Sequence, residues 1–373
     1  MKNNNKKKLI SKLTLILSTN NSRDQLIFRF LDYYNSIYGN YKLKIIISDD
    51  GSKKGYISLK KKIDRKNYNL DITILNYKSK SNPSLIVRDG WGKPRFEYRD
   101  RLKQAIRGVS SKYIVLAADD DIYFPEYFFK AIKFLEKNKS YSCIYGHTIS
   151  FSLKKYTAFG KIIKLKLAKE NNPPNPWQED SFFLDRLNNL GKNPWSWFNW
   201  YAIQRTEVLK KTILKAKKYR IDGYLFEKFF TFCHAVMYKS KKLDLIYNAR
   251  QENPIYNEYV GREPFSYFRN TNSLNKFKKA CEEFLIMSHK ISVKNSKLII
   301  NKITKKDFNS YIMNDIKEIP RALKRKYLKK LKNLNLITKV KPQSVEDARL
   351  KKISKINIKK EISLLKKIVE IKT

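Results

Sequence analysis

The sequence predicts an α/β fold in which a mostly parallel sheet is flanked by helices. Three observations carry that expectation. Short apolar, β-prone runs alternate with helical patterns over the first 150 residues. Hydroxyl-bearing or acidic residues stand directly after three of those runs. A composition that is 42% hydrophobic and 13% aromatic supplies enough apolar surface for a real core.

Taken in order, residues 13–17 (Leu-Thr-Leu-Ile-Leu) form the first apolar run, and a helical pattern follows through Leu26, Phe30, Leu31 and Tyr34. Residues 43–47 make a second strand, ended abruptly by Ser48-Asp49-Asp50-Gly51-Ser52. Residues 72–75 make a third. A helix around 98–106 places Leu102, Ala105 and Ile106 on one face. The strand at 113–117 runs into Asp119-Asp120-Asp121, and Pro125 opens the next helix, where a missing N–H costs nothing. Residues 143–145 begin a fifth strand. Beyond it lie a Pro-rich loop at 173–177, an aromatic cluster of Trp195, Trp197, Trp200 and Tyr201, a helix from near Asp222 through Phe232, and a strand at 242–247.

From about residue 291 the character changes, with 24 Lys and Arg against seven Asp and Glu up to residue 373. The last helical pattern is amphipathic: Ile358, Ile362, Leu365 and Val369 share a face flanked by Lys359, Lys360, Lys366 and Lys367. The functional reading of that pattern is an interfacial helix that binds an anionic membrane surface, and a solvated helical appendage is the plainer alternative. The whole chain carries 80 Lys and Arg against 34 Asp and Glu, a net charge of +46. Such a charge suggests an anionic partner, whether nucleic acid, a membrane surface or a phosphorylated substrate, and a genome-wide compositional bias is the plainer alternative. Basic and aromatic residues form no recognisable nucleic-acid module, so no nucleic-acid partner is expected.

Cys143, Cys233 and Cys281 are far apart and lack metal-ligand spacing, which predicts buried free thiols in a reducing compartment. The apolar stretch at 13–17 is too short for a signal peptide, and no run approaches the ~20 apolar residues of a membrane span. The expected location is the cytoplasm, either free or peripheral on the inner face of the cytoplasmic membrane.

In open α/β sheets, ligands sit beyond the carboxyl ends of the strands. The segments found there are Ser18-Thr19-Asn20, Asp49-Asp50 and Asp119-Asp120-Asp121. Three consecutive aspartates at a strand end repel one another unless a cation neutralises them. Oxygen-only ligands suit Mg²⁺ or Mn²⁺, which bind through one or two carboxylates together with substrate phosphates. Asp119, Asp120 and Asp121 are therefore the expected metal residues, and helix capping is the plainer alternative for them. Asp222 and Glu227 are candidates for a general base, against capping and a solvated helix face. The Trp195–Trp200 aromatics with Tyr201 offer a stacking platform for a ligand ring or core filling. His147, His234 and His289 have no common spacing and read as structural.

Together, Leu15-Ile-Leu-Ser-Thr-Asn20, Ile46-Ile-Ser-Asp-Asp-Gly-Ser52 and Tyr113-Ile-Val-Leu-Ala-Ala-Asp-Asp-Asp121 with Pro125 resemble successive landmarks of a family 2 type bacterial glycosyltransferase of the A-type fold. Tyr201-Ala-Ile-Gln-Arg-Thr-Glu207 and the segment Asp222 to Glu227 extend the resemblance, which covers roughly residues 12–252. It implies a metal-dependent, inverting transfer of a sugar from a nucleotide-sugar donor to a glycan or lipid-linked acceptor, in synthesis of a bacterial surface polysaccharide. It also implies that Ser18, Thr19, Asn20, Asp49, Asp50 and Asp119 surround the nucleotide. Asp120 becomes the principal metal carboxylate of an Asp-X-Asp motif, and Asp222 falls at the place of the base. The chain departs from the pattern at Asn20, where a tyrosine is usual, and at Ile221-Asp222, where a Glu-Asp pair is frequent; Glu227 is the rival base. The implied layout is a transferase domain over 10–260, split at 150 into nucleotide and acceptor halves, and a basic helical extension over 261–373.

Two other readings compete. A nucleotidyltransferase would need a Gly-rich, basic loop after the first strand, and residues 18–23 contain no glycine. A non-catalytic nucleic-acid- or membrane-binding protein would leave the aspartate triplet unexplained.

Overall fold

In the computed structural model of the chain, residues 3–19, 24–49, 53–76, 87–88, 94–95, 98–155, 157–167, 179–190, 198–219, 221, 223–252, 271–318 and 359–370 are described. The chain opens with α1 (Asn3–Ile10), β1 (Leu13–Thr19), α2 (Asp24–Tyr38), β2 (Lys44–Asp49), α3 (Lys53–Lys66) and β3 (Asp71–Asn76). A small hairpin of β4 (Val87–Arg88) and β5 (Pro94–Arg95) precedes α4 (Tyr98–Arg107), β6 (Tyr113–Ala118), β7 (Asp121–Tyr123) and α5 (Pro125–Lys137). Next come β8 (Tyr141–Leu153), β9 (Ile162–Leu167), α6 (Phe183–Leu190), α7 (Phe198–Tyr201), β10 (Ile203–Arg205) and α8 (Thr206–Tyr219). They are followed by α9 (Gly223–Met237), β11 (Lys239–Gln251), α10 (Thr271–His289), α11 (Val293–Glu318) and α12 (Lys359–Val369).

Among the described residues, nine strands form one sheet in the order β3-β2-β1-β6-β10-β8-β11-β7, with β9 paired to β8. Strands β3, β2, β1 and β6 run parallel, and β11 runs parallel to β8. The short β10 and β7 enter antiparallel. This is the mixed, mostly parallel sheet that the alternation predicted.

The unbroken apolar runs of β1 and β6 follow from burial on both faces of the sheet. Leu13, Leu15 and Leu17, with Tyr113 and Val115, point into one core shared with α2 and α5. Ile16, Ile114 and Leu116 point into a second core under α4, α8 and α9. Phe277, Phe284 and Leu285 of α10 and Ile300 and Ile303 of α11 belong to that second core. A chain so basic thus places its C-terminal helices by apolar contact.

The expectation for the last helix is corrected. Leu365 and Val369 of α12 are fully buried in the first core, and Ile362 lies partly buried against it. The carbonyl of Val369 accepts a hydrogen bond from the Gly160 N–H at 2.8 Å, and Glu370 Oε1 accepts one from the Ile162 N–H at 2.9 Å. The apolar face is occupied by the protein itself, so it is not available to a bilayer. Ile358 lies outside the described residues.

One glycine has a local reason. A Cβ on Gly146 of β8 would collide with the Leu245 carbonyl oxygen and lie 3.1 Å from the Tyr247 Cβ. There β11 slips register between Lys242 and Ile246 and again between Ile246 and Asn248. The irregularity brings the end of β11, with Arg250 and Gln251, against β7.

Candidate functional site

The register of the parallel strands assembles the site. Thr19, the last residue of β1, lies opposite Asp49 of β2, and Ser18 lies opposite Ser48 on one side and Ala118 of β6 on the other. The carboxyl ends of three strands therefore finish at one sheet edge. Chain direction reverses at the next residues: Asp119 and Asp120 form a turn between β6 and β7.

Asp119 is 1% exposed, and its Oδ2 accepts a hydrogen bond from Thr19 Oγ1 at 2.8 Å. A buried carboxylate held by a neighbouring hydroxyl keeps one orientation, as metal and phosphate sites require. Asp120 is half-buried, and its carbonyl accepts the Gln251 N–H at 3.2 Å. Arg101 of α4, buried at 7% exposure, points its Nη1 toward the carbonyl oxygens of Thr19 and Ser48, at 3.4 and 3.5 Å. A positive charge thus lies beneath the ends of β1 and β2.

Asp121 behaves differently from its two neighbours. It is wholly buried in β7, and both its oxygens receive Arg250 of β11: Nε to Oδ1 at 2.9 Å and Nη2 to Oδ2 at 3.1 Å. The two-pronged geometry matches guanidinium to carboxylate. Among the described residues, no three histidine, cysteine, aspartate or glutamate side chains gather as a metal ligand set. The expectation of three aspartates around one cation is revised accordingly, because a protein cation already neutralises the third. Asp119 and Asp120 are the pair whose chemistry fits a hard divalent ion completed by substrate oxygens.

Arg250 reaches further. Its guanidinium lies 4.3 Å from the Tyr201 ring centre, a cation–π contact. Burial would lower its pKa, but Asp121, Tyr201 and Asp120 outweigh that and hold it well above the usual value. The same charge acts on Glu227 of α9. Burial pushes the Glu227 carboxyl up to about 7, with Arg250 pulling the other way. A carboxylate tuned near neutrality is suited to accept a proton. One arginine therefore joins the acidic turn, an aromatic ring and a titratable carboxylate, and the sequence did not single it out. Its only signal was a charged residue at the end of a buried strand run.

The other expected residues are distributed as follows. Asn20, Asp50 and Asp222 lie outside the described residues, as do Trp195 and Trp197. Ser18 is half-buried at the sheet edge, and Asp49 ends β2. Trp200 is 2% exposed and packs edge-on against Phe226 and Phe230, with ring centres at 5.3 and 5.2 Å. It fills core and offers no platform to a sugar; of the described aromatics in this cluster, Tyr201 keeps a place beside the charged groups.

His234 is buried, pairs with Ser142 Oγ at 2.6 Å, and is pushed down to about 3 by burial. It is neutral and structural, as its lack of pattern suggested. The three cysteines are buried and free. No helix among the described residues is long and apolar enough to cross a membrane.

No protein-family model matches the chain, and no curated protein matches it. Solved structures similar to it include S. aureus TarS residues 1–349 in complex with UDP-GlcNAc, at 12% identity and a TM-score of 0.47, covering 86% of this chain and 79% of that one. The same TarS segment without that ligand gives 13% identity and a TM-score of 0.45 over 86% and 78%. The mannosyltransferase PcManGT from Pyrobaculum calidifontis in complex with GDP-Man and Mn²⁺ gives 12% identity and a TM-score of 0.39 over 96% and 86%.

Proposed function

We propose that the chain is a family 2 type glycosyltransferase of the A-type fold that moves a sugar, with inversion, from a nucleoside-diphosphate donor to a glycan or lipid-linked acceptor. The observation that carries this reading is the Thr19–Asp119 hydrogen bond. It fixes a buried carboxylate at the carboxyl end of parallel strands β1, β2 and β6, with Asp120 partly open beside it.

The donor's nucleotide lies across the ends of β1 and β2, near Ser18, Thr19 and Asp49, with its diphosphate toward Asp119 and Asp120. Asn20 and Asp50 belong to the same edge by sequence. Mn²⁺ or Mg²⁺ would be held by Asp119 and Asp120, and when bound it would offset the negative charge that grows on the departing nucleotide. Arg101 adds a fixed positive charge beneath the same strand ends.

Glu227 takes the proton of the acceptor hydroxyl as that oxygen forms its bond to the anomeric carbon and the bond from that carbon to the diphosphate oxygen breaks. Asp222 is the rival for this role. Arg250 holds the acidic turn and the base-bearing helix in one electrostatic unit. The product belongs, on this reading, to a bacterial surface polysaccharide.

A donor-hydrolysis assay tests the reading, with a panel of nucleotide sugars that includes UDP-GlcNAc and GDP-Man, each with and without Mn²⁺. Release of nucleoside diphosphate from one donor, lost in Asp120→Ala, is the expected result. Turnover of a nucleoside triphosphate with pyrophosphate release would point to nucleotidyl transfer instead. Asp120→Ala and Glu227→Gln both turning over as wild type would overturn the site.

A further inference from the structure

Beside the second core, α8, the end of α9 and the last turns of α10 enclose a groove of about 690 Å³. Its walls are apolar: Leu214, Met237, Phe284 and Met287 line it, and two of them stand open to solvent, Leu214 at 60% and Met287 at 64% exposure. Single exposed apolar side chains are ordinary, but these two open together onto one apolar-walled groove, the kind of surface on which something docks. The two methionines give a soft wall that adapts to a flexible chain better than to a rigid ring.

The rim is basic. Lys211, Lys215 and Lys218 line the same groove, and their spacing of four and three residues puts them on one face of α8 with Leu214 between them. Lys215 and Lys218 share one carboxylate, Glu283 of α10, at 3.5 and 3.0 Å. Three ammonium groups against one carboxylate leave the rim positive. Lys218 stands open at the rim, whereas Lys215 lies against the apolar wall, its ammonium donating to the Met287 sulfur at 3.0 Å; lysine stems laid along apolar surface in this way are found where a protein meets a lipid interface.

We infer that this groove is the protein's site for an anionic phospholipid of a membrane surface, with acyl carbons against Leu214 and Met287 and the phosphate among Lys211, Lys215 and Lys218. Charge complementarity selects the occupant: an uncharged helix would leave the three lysines unused, and a free phosphate would leave the apolar floor uncovered. The site replaces the last helix as the membrane-facing element, since the apolar face of α12 is filled by the first core.

The experiment is co-sedimentation of the full chain with vesicles of phosphatidylcholine, alone and doped with phosphatidylglycerol, at fixed salt. Wild type is expected to sediment with the doped vesicles only. Leu214→Asn combined with Met287→Asn keeps every charge and alters only exposed positions, so it separates groove binding from the general attraction of a chain at +46. A fall in partitioning of roughly tenfold is expected for that double variant, from the apolar area it withdraws from the lipid.

A polarity-sensitive dye on Met287→Cys gives a second readout, expected to shift to the blue only with doped vesicles. Equal partitioning of wild type and the double variant, no sedimentation of wild type with doped vesicles, or an unshifted dye would each overturn the assignment. Vesicle binding needs neither donor nor acceptor, so its failure is distinguishable from failure of the nucleotide-sugar experiment.

Discussion

Arg250 and Asp121 lie 129 positions apart in sequence and meet through two parallel hydrogen bonds of 2.9 and 3.1 Å, one partner wholly buried and the other 28% exposed. The contact joins the last strand of the sheet to the strand that leaves the acidic turn. It divides the aspartate triplet: Asp121 is bound to a protein cation, and Asp119 and Asp120 are left in the turn where the proposed donor site lies. Removing one member of a buried pair strands the other charge, whereas removing a solvent-facing carboxylate does not.

Asp121→Ala should therefore act mainly on stability. About 3 kcal/mol is expected, the lower end of the range for a broken buried pair because Arg250 is partly exposed. Asp120→Ala should change stability by about 0.5 kcal/mol or less and remove the Mn²⁺-dependent stabilisation by a nucleoside diphosphate. Thermal melts with and without both ligands separate the two. An equal loss of stability in the two variants would contradict the division.

Thr19→Val keeps the shape of the side chain and deletes the donor that orients Asp119. Losing the partner of a metal-side carboxylate typically costs 10–100-fold in metal affinity, and a loss of about that size is expected here. Calorimetric titration of Mn²⁺ in the presence of nucleoside diphosphate measures it.

Glu227 gives a pH signature. Its carboxyl titrates at about 7, raised by burial, so the deprotonated form needed for proton acceptance fills in as pH rises through that value. Turnover at saturating donor should climb up to about pH 7 and then level off, and Glu227→Gln should lower it by roughly 10²–10⁴-fold. The stability effect has the opposite direction. A carboxyl whose pKa is raised on folding stabilises the protein fully below its unfolded value of 4.5 and loses that contribution as pH rises toward 7. Glu227→Gln should accordingly melt above wild type at pH 8 and lose that advantage at pH 4.

Leu365→Ala tests where the last helix belongs. The side chain is fully buried in the first core, and its truncation should cost about 2–5 kcal/mol in lipid-free buffer. A helix reserved for a bilayer would show no change under those conditions, and urea or thermal unfolding decides between the two.

Much of the sheet was legible because its strands are buried on both faces and so read as continuous apolar runs closed by polar residues. The run at 13–17, the Ser48-Asp49 break and Ala117 to Asp119 mark three adjacent strand ends in the structure. The three-residue β10 was not legible. It is held by tertiary contacts, with Arg205 donating to the Tyr141, Leu135 and Asn138 carbonyls, and its own pattern is too short to show. The partner of Asp121 stayed hidden for a related reason: pairing across more than a hundred residues leaves no local periodicity. The amphipathic stripe of α12 was read correctly as a stripe, but its partner was not, because a face built for α2 and the core looks the same in sequence as one built for lipid.

The long slip-jointed strand β11 has a consequence for how the protein comes into being. Asp121 leaves the ribosome far ahead of Arg250, and the turn around Asp120 waits for the backbone of Gln251. Contacts of such long range form late, after local helices and hairpins. A nascent polypeptide released anywhere before residue 250 would carry an unneutralised aspartate inside an unfinished sheet, so the acidic turn gains its final shape only when synthesis has passed Gln251.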